Sequence, residues 1–182
     1  MPAYPYEELE EMVRRWLGVN RRAQDEGDWK PMADMYTEDA TYGWNLGPGE
    51  EFMAVGRREI VDFALGTEMA GLEGWRYPYE RVLVDDRIGE VVGFWRQVAD
   101  APRPDGSEYE VAGLGGSWFR YAGDFKWSWQ RDFFDLGNVT ALFIEMIKSD
   151  TLSEGMKRRM EAAGGKLPGH FRLGEAPARL WP

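Results

Sequence analysis

Apolar residues return at helical spacing from Tyr6 to about Ala23, where Leu9, Met12, Val13, Trp16, Leu17 and Ala23 form one stripe. Acidic residues come early in this run and Arg21 and Arg22 late, as the helix dipole prefers. The pattern predicts an amphipathic helix stopped by Gly27, with Asp28 as N-cap of a short second helix, "WKPMADMY", whose Pro31 sits in the tolerated first turn. A third helix is predicted over "RREIVDFALG", stopped by Gly66. Between these two helices, "ATYGWNLGPGEEF" begins as a short strand and becomes a Gly-rich loop. After Gly74 the period falls from 3.6 to 2, which predicts strands over 76–85, 90–99, 108–121 and 125–136. The turns between them, "DDRIGE", "APRPDGSE" and "YAGDF", are short enough for an antiparallel meander. Asn138 then caps a helix through Lys148, and a capping box from Thr151 to Glu154 opens a last helix closed by Gly164 and Gly165. The remaining tail reads as an extended arm, so residues 1–150 form the domain and 151–182 its helical extension and arm.

Helices followed by a meander imply an α+β layered fold, with the helices on one face of a curved, mostly antiparallel sheet. Strand alternation places Trp95, Trp118, Trp127, Trp129 and Phe133 on one face, provided no bulge intervenes. The other face then carries Phe94, Arg96, Val98, Ser117, Phe119, Gln130, Asp132 and Phe134. If the helices cover the second set, the first is a broad aromatic patch, and a homodimer joined through it is the economical expectation.

Composition narrows the function classes. The balance of 22 basic against 32 acidic residues, net −10, argues against a nucleic-acid footprint, which needs a basic patch. There is no Cys, hence no thiolate nucleophile, and the single His170 cannot make a multi-histidine metal site. His170 is expected as a solvated tail residue, and no metal or organic cofactor is expected. No stretch of about 18 apolar residues appears, so a soluble, cytoplasmic protein without a membrane partner is expected. Apolar residues at 43% and aromatics at 14% point instead to a folded chain built to bury rings, and to a small apolar ligand.

The run "SWQRDFFDL" carries the candidate chemistry, because a charge inside an aromatic strand is costly unless it is held for a purpose. "GDWKPMADMYTEDATY", the Gly-rich loop, "GRREIVDF" and the meander ending in "WQRDFFDL" together resemble the nuclear transport factor 2-like superfamily, with its SnoaL-like and ketosteroid isomerase-like branches, over residues 8–148. The last strand is most similar to that of limonene epoxide hydrolases. That resemblance implies Asp132 as water-activating base and Arg96 as bridging cation, whereas the family's general acid falls on Val98. Asp100 is a substitute acid, Tyr42 matches a water-holding tyrosine, and the water-holding asparagine falls on Trp44, with Asn45 adjacent. The ketosteroid isomerase triad would fall on Asn20, Trp44 and Ser117, and is absent.

The residues also argue by themselves. A carboxylate beside an Arg from the next strand keeps its charge and can polarise water or accept a substrate proton. Trp16, Met35, Phe63, Phe94, Phe119 and Phe134 supply apolar walls. Gly113 and Gly115 either leave space for a flat ligand or mark a bulge. Asp132 with Arg96 is either a functional pair or a structural one that fixes register, and Tyr42 either holds water or simply packs. Asn20 is either a pocket amide or a cap for neighbouring backbone. The expected function is therefore cofactor-independent acid–base chemistry on an apolar cyclic molecule, by epoxide hydrolysis or dehydration; the alternative is a non-catalytic binding or accessory protein of the same fold.

Overall fold

The computed structural model describes residues 3–162 and 167–182. Helix α1 (Tyr6–Glu26) buries Leu9, Met12, Trp16, Asn20 and Ala23, and ends where Gly27 takes a left-handed conformation at φ 66°. The Asp28 carboxylate accepts from the Lys30 backbone N–H (3.1 Å) at the head of a 3-10 segment, Lys30–Met35. Strand β1 (Tyr36–Asn45) and strand β2 (Glu50–Val55) follow, so the expected Gly-rich loop is in fact a hairpin. The short α2 (Arg57–Glu59) runs into π-helical turns over Ile60–Thr67. Their wider repeat is seen where the Glu68 N–H reaches back to the Phe63 carbonyl (2.8 Å), carrying the helix past Gly66.

The meander is β3 (Tyr79–Asp85), β4 (Glu90–Trp95), β5 (Val98–Pro102), β6 (Glu108–Glu110), β7 (Gly115–Tyr121) and β8 (Trp127–Phe133). Two of the predicted long strands are each broken in two. The end of the first and the start of the second pair with each other as a small separate sheet, β5 with β6, and Gly113 at φ 98° turns the chain back into β7. Helices α3 (Leu136–Lys148) and α4 (Glu154–Ala162) follow, and β9 (His170–Arg172) ends the elements. Asp135 rather than Asn138 caps α3, accepting from the Asn138 N–H (2.9 Å). Ser153 rather than Thr151 caps α4, accepting from the Met156 N–H (3.2 Å). The expected stop at Gly164 and Gly165 lies outside the described residues.

The main sheet runs β3-β4-β7-β8-β1-β2-β9, antiparallel except for the β1–β8 pair. One core lies between this sheet, α1 and the π-helical turns, centred on Trp16, Tyr36, Phe52, Phe119 and Trp127. A second, built from Leu72, Trp75, Tyr109, Leu142, Met146 and Met156, fastens α3 and α4 to the β5–β6 sheet. The site lies between the two cores.

The register corrects the expected faces. Gly93 pairs with Ser117, so Trp95 points inward with Ser117, and Phe94 and Arg96 point outward. A register shift between Arg120 and Tyr121 turns Trp127 inward as well, stacked on Phe119 at 4.7 Å. Trp118, Trp129 and Phe133 keep the outer face. The tail is not free there: the Arg131 guanidinium donates to the carbonyls of Leu180 (3.1 Å) and Arg179 (2.5 Å), and Trp181 lies edge-on to Trp118. Among the described residues no helix is long and apolar enough to cross a membrane.

Candidate active site

Asp132 is on β8, a strand whose neighbours β7 and β1 each place one hydroxyl against it. Ser117 Oγ donates to Asp132 Oδ1 (2.6 Å) and Tyr42 Oη donates to Oδ2 (2.6 Å). Gln130 Nε2, two residues earlier on the same strand face, also donates to Oδ1 (2.7 Å). Further groups fix these donors. The Tyr36 hydroxyl donates to Gln130 Oε1, which holds the amide nitrogen toward Asp132. Trp95 Nε1 donates to Ser117 Oγ (2.9 Å), which directs the serine proton to the carboxylate. On the far side of this layer Trp16 Nε1 donates to Tyr79 Oη (3.1 Å), and that hydroxyl reaches Ser117 Oγ at 3.5 Å.

The carboxylate faces a cavity of ≈ 540 Å³, within the range of about 300–1,000 Å³ usual for small-molecule sites. Its surroundings are enclosed by protein, and its own exposed surface opens into the cavity. The walls are mostly rings and aliphatic chains, including Trp16, Trp44, Tyr77, Trp95 and Phe134, and α3 closes one side with Val139, Phe143, Ile144 and Ile147. Burial pushes the Asp132 carboxyl above its ordinary value, and the bonds from Gln130, Ser117 and Tyr42 oppose this only in part. Burial, and then the Asp132 charge, push the hydroxyls of Tyr36 and Tyr42 well above their ordinary range. Both therefore remain protonated donors. An ionised carboxylate offers about four acceptor sites. Three of them are taken by protein. One is left for a ligand proton.

The structure brings Asp132, Tyr42, Trp44, Ser117, Trp16, Asn20 and Phe134 to the cavity wall. It does not bring Arg96 there. Arg96 is exposed and forms a bidentate pair with Glu110, Nε to Oε1 at 2.8 Å, because the inward alternation on β4 ends at Trp95 and the β6 carboxylate lies within reach outside. The cation nearest Asp132 in electrostatic effect is its own neighbour Arg131, on the opposite face, where burial pulls the guanidinium down to about 10. Asp100 is exposed beside Gly74. Asn45 is exposed and closes the β1–β2 turn, accepting from the Gly47 N–H (2.9 Å). Met35 and Phe63 pack against the main core, Phe119 is buried beneath Trp16 and Trp127, Phe94 lies outside against Phe133, and Val98 is buried on β5. Gly115 leaves no ligand space: the Trp95 ring occupies the position of its absent side chain.

Sequence reasoning missed Trp95, Tyr36 and Tyr79, although Gly115 and Gly93, glycines that seat the Trp95 and Tyr79 rings, were the available signal. It also missed the clamp at the cavity's other end. There Glu68, buried in the wall, accepts from Arg159 of α4 (3.3 Å) and meets His170 Nε2 of β9 (2.8 Å). His170 is thus held by β9 pairing with β2 instead of being a solvated tail residue.

No family model matches the sequence, and no curated protein matches it. Solved structures do match. A protein assigned as a SnoaL-like polyketide cyclase from Jannaschia sp. CCS1 superposes with TM-score 0.56 at 20% identity, over 78% of this chain and 96% of that one. An NTF2-like protein from Anabaena variabilis gives TM-score 0.53 at 20% identity, over 74% and 95%. SalBIII, an epoxide hydrolase/cyclase-like enzyme of pyran-ring formation in salinomycin, gives TM-score 0.53 at 14% identity, over 72% and 94%. The chain has the nuclear transport factor 2-like fold. Fold likeness at such identity does not carry an activity, so function rests on the cavity.

Proposed function

We propose that this protein is a cofactor-independent enzyme acting by acid–base chemistry on a small apolar cyclic molecule, with Asp132 as the proton acceptor. The observation that carries the proposal is a half-buried carboxylate with raised affinity for protons, enclosed by protein on all sides but the cavity, held by three neutral donors and presenting its remaining acceptor site to an apolar cavity. Such a group takes a proton from a substrate C–H or O–H, or from water, and returns it later in the reaction. Tyr42 and Ser117 steady the charge between the two steps. The assigned roles of two fold neighbours, a SnoaL-like polyketide cyclase and an epoxide hydrolase/cyclase-like enzyme, are in keeping with ring closure or ring opening as the reaction class. With Arg96 and Asp100 both outside the cavity and the Tyr42 proton engaged by Asp132, an epoxide would have to draw its electrophilic proton from outside this set of donors.

The test is incubation with cyclic terpenoid and steroid epoxides and with β-hydroxy ketones in oxygen-18 water, comparing wild type with Asp132→Asn. Labelled diol or dehydrated product from wild type alone supports the proposal. Binding by both proteins with no product from either favours the second reading, a non-catalytic binder. One observation favours that reading: three of the carboxylate's acceptor sites serve the fold itself. The aromatic outer face, where Phe94 meets Phe133 and Trp118 meets Trp181, supports a homodimer joined there, which sedimentation at several concentrations tests.

A further inference from the structure

Asn20 is 8% exposed, and that remainder opens into the cavity. It lies on the stripe of α1 that otherwise buries Leu9, Met12, Trp16 and Ala23, where an apolar residue would pack without penalty. Its side chain makes no hydrogen bond to any described residue. Buried amides normally have partners, so an unpartnered one facing a cavity calls for an acceptor or donor from outside the chain.

The wall around it repeats this condition. Tyr77 also borders the cavity, and its backbone N–H donates to Gln24 Oε1 (2.7 Å), fixing it against the turn of α1 that follows Asn20. Gln97 Nε2 reaches the Tyr77 hydroxyl at 3.5 Å, which leaves Gln97 Oε1 and the Tyr77 proton unused among the described residues. Trp29, edge-on to Tyr77 at 5.3 Å, has an indole N–H that is buried without an acceptor among the described residues. None of these groups is charged. The other cavity-lining charges, Glu68 and Arg159, neutralise each other at 3.3 Å. This set is also separate from the donors on Asp132: Trp16, one helical turn before Asn20, already serves the Asp132 layer through Tyr79.

We infer that Asn20, with Tyr77 and Gln97, forms a second recognition site that takes an uncharged oxygen substituent, a carbonyl or hydroxyl, on a part of the ligand apart from the atom that meets Asp132. The inference rests on the Asp132 reading for the ligand's orientation, and it narrows the ligand to a neutral ring molecule oxygenated at two separate positions. Asn20 is the specificity-determining residue. Its amide both donates and accepts, so it serves a carbonyl or a hydroxyl, and an analogue lacking that oxygen leaves it unpaired.

The test uses calorimetric titration of the full chain with estradiol, which carries a hydroxyl at each end of a rigid ring system, and with its 3-deoxy analogue. Asn20→Leu and Asp132→Asn are titrated in parallel, and thermal unfolding of the ligand-free variants is recorded. Wild type is expected to prefer the diol by about tenfold, the loss of one hydrogen bond. Asn20→Leu should lose that preference while its ligand-free melting temperature stays level or rises, because no protein partner is abandoned. Asp132→Asn should keep the preference. Equal affinity of wild type for the two probes, failure to bind the diol, or a fall in the melting temperature of Asn20→Leu would overturn the inference. Failure of the Asp132 reading would show separately, as turnover retained in Asp132→Asn in the oxygen-18 experiment.

Discussion

Replacing Asp132 with Asn should change stability in a way that depends on pH, and the direction follows from the site. In the folded protein the carboxyl is enclosed, and burial raises its proton affinity above the value of about 3.9 of an unfolded chain. A raised folded value means that the folded state binds a proton more readily than the unfolded state. The resulting stability is fully present below about pH 3.9 and is lost as pH rises through the folded value, by about 1.4 kcal/mol for each unit that separates the two. An Asn has no such dependence. Opposing this at neutral pH, the ionised carboxylate accepts bonds from Tyr42 and Ser117 at 2.6 Å and from Gln130 at 2.7 Å. An amide keeps the oxygen side of that set and turns an N–H₂ toward the remaining donor, which forfeits roughly 1.5–3 kcal/mol of charge-assisted bonding. Wild type should thus hold its largest advantage over Asp132→Asn near pH 4 and a smaller one near pH 8. Urea unfolding of both proteins at half-unit pH steps measures the difference directly. A constant difference across that range, or an advantage that grows with pH, would refute the reasoning, because it would mean that the carboxylate is stabilised in its charged form by a cation.

Tyr42→Phe removes one 2.6 Å donor from Asp132 and should cost about 1.5–3 kcal/mol at pH 8 but less at pH 4, where the raised proton affinity of the carboxyl leaves less of it charged; chemical denaturation at both pH values checks this. Gly115→Val drives a side chain into the Trp95 ring and should destabilise by about 1–3 kcal/mol while displacing the indole that orients Ser117, visible as altered near-ultraviolet circular dichroism. Arg159→Ala leaves Glu68 buried with, among the described residues, only His170 as partner and frees the Thr67, Glu68 and Ala70 carbonyls that the guanidinium holds; allowing for its partial exposure, a loss of about 1–3 kcal/mol is expected by urea titration.

The parts of the fold with strong local period were legible. Helix α1 ends at Gly27 as its pattern requires, and β8 presents Asp132 with Gln130 inward, as alternation alone predicts. Alternation failed where the chain departs from regular pairing. The inward turn of Trp127 depends on a bulge, and the outward turn of Arg96 on which residue of β7 Gly93 meets. Neither is encoded in a window of a few residues. The β2 strand was hidden because "GPGEEF" opens with turn residues and acids, and its pairing is completed by β9, more than a hundred positions away. The same distance hid the Glu68, Arg159 and His170 clamp, whose members come from three elements with no sequence relation. The resemblance to epoxide hydrolases pointed to Asp132 and Tyr42, which meet at 2.6 Å, and to Arg96, which pairs outside with Glu110 instead.

The parallel pairing of β1 with β8 has a consequence for how the cavity is assembled. Tyr42 and Asp132 meet across a separation of 90 residues, whereas the β3–β4 and β7–β8 hairpins join neighbours in the chain. Closing a long loop sacrifices entropy before any contact rewards it, so distant parallel pairings form slowly relative to hairpins. Hairpins and α1 can therefore organise while the two halves of the site are still apart. The carboxylate acquires its tyrosine only when the sheet is zipped through its middle, and a refolding chain regains its helical and hairpin signals before the cavity wall is complete.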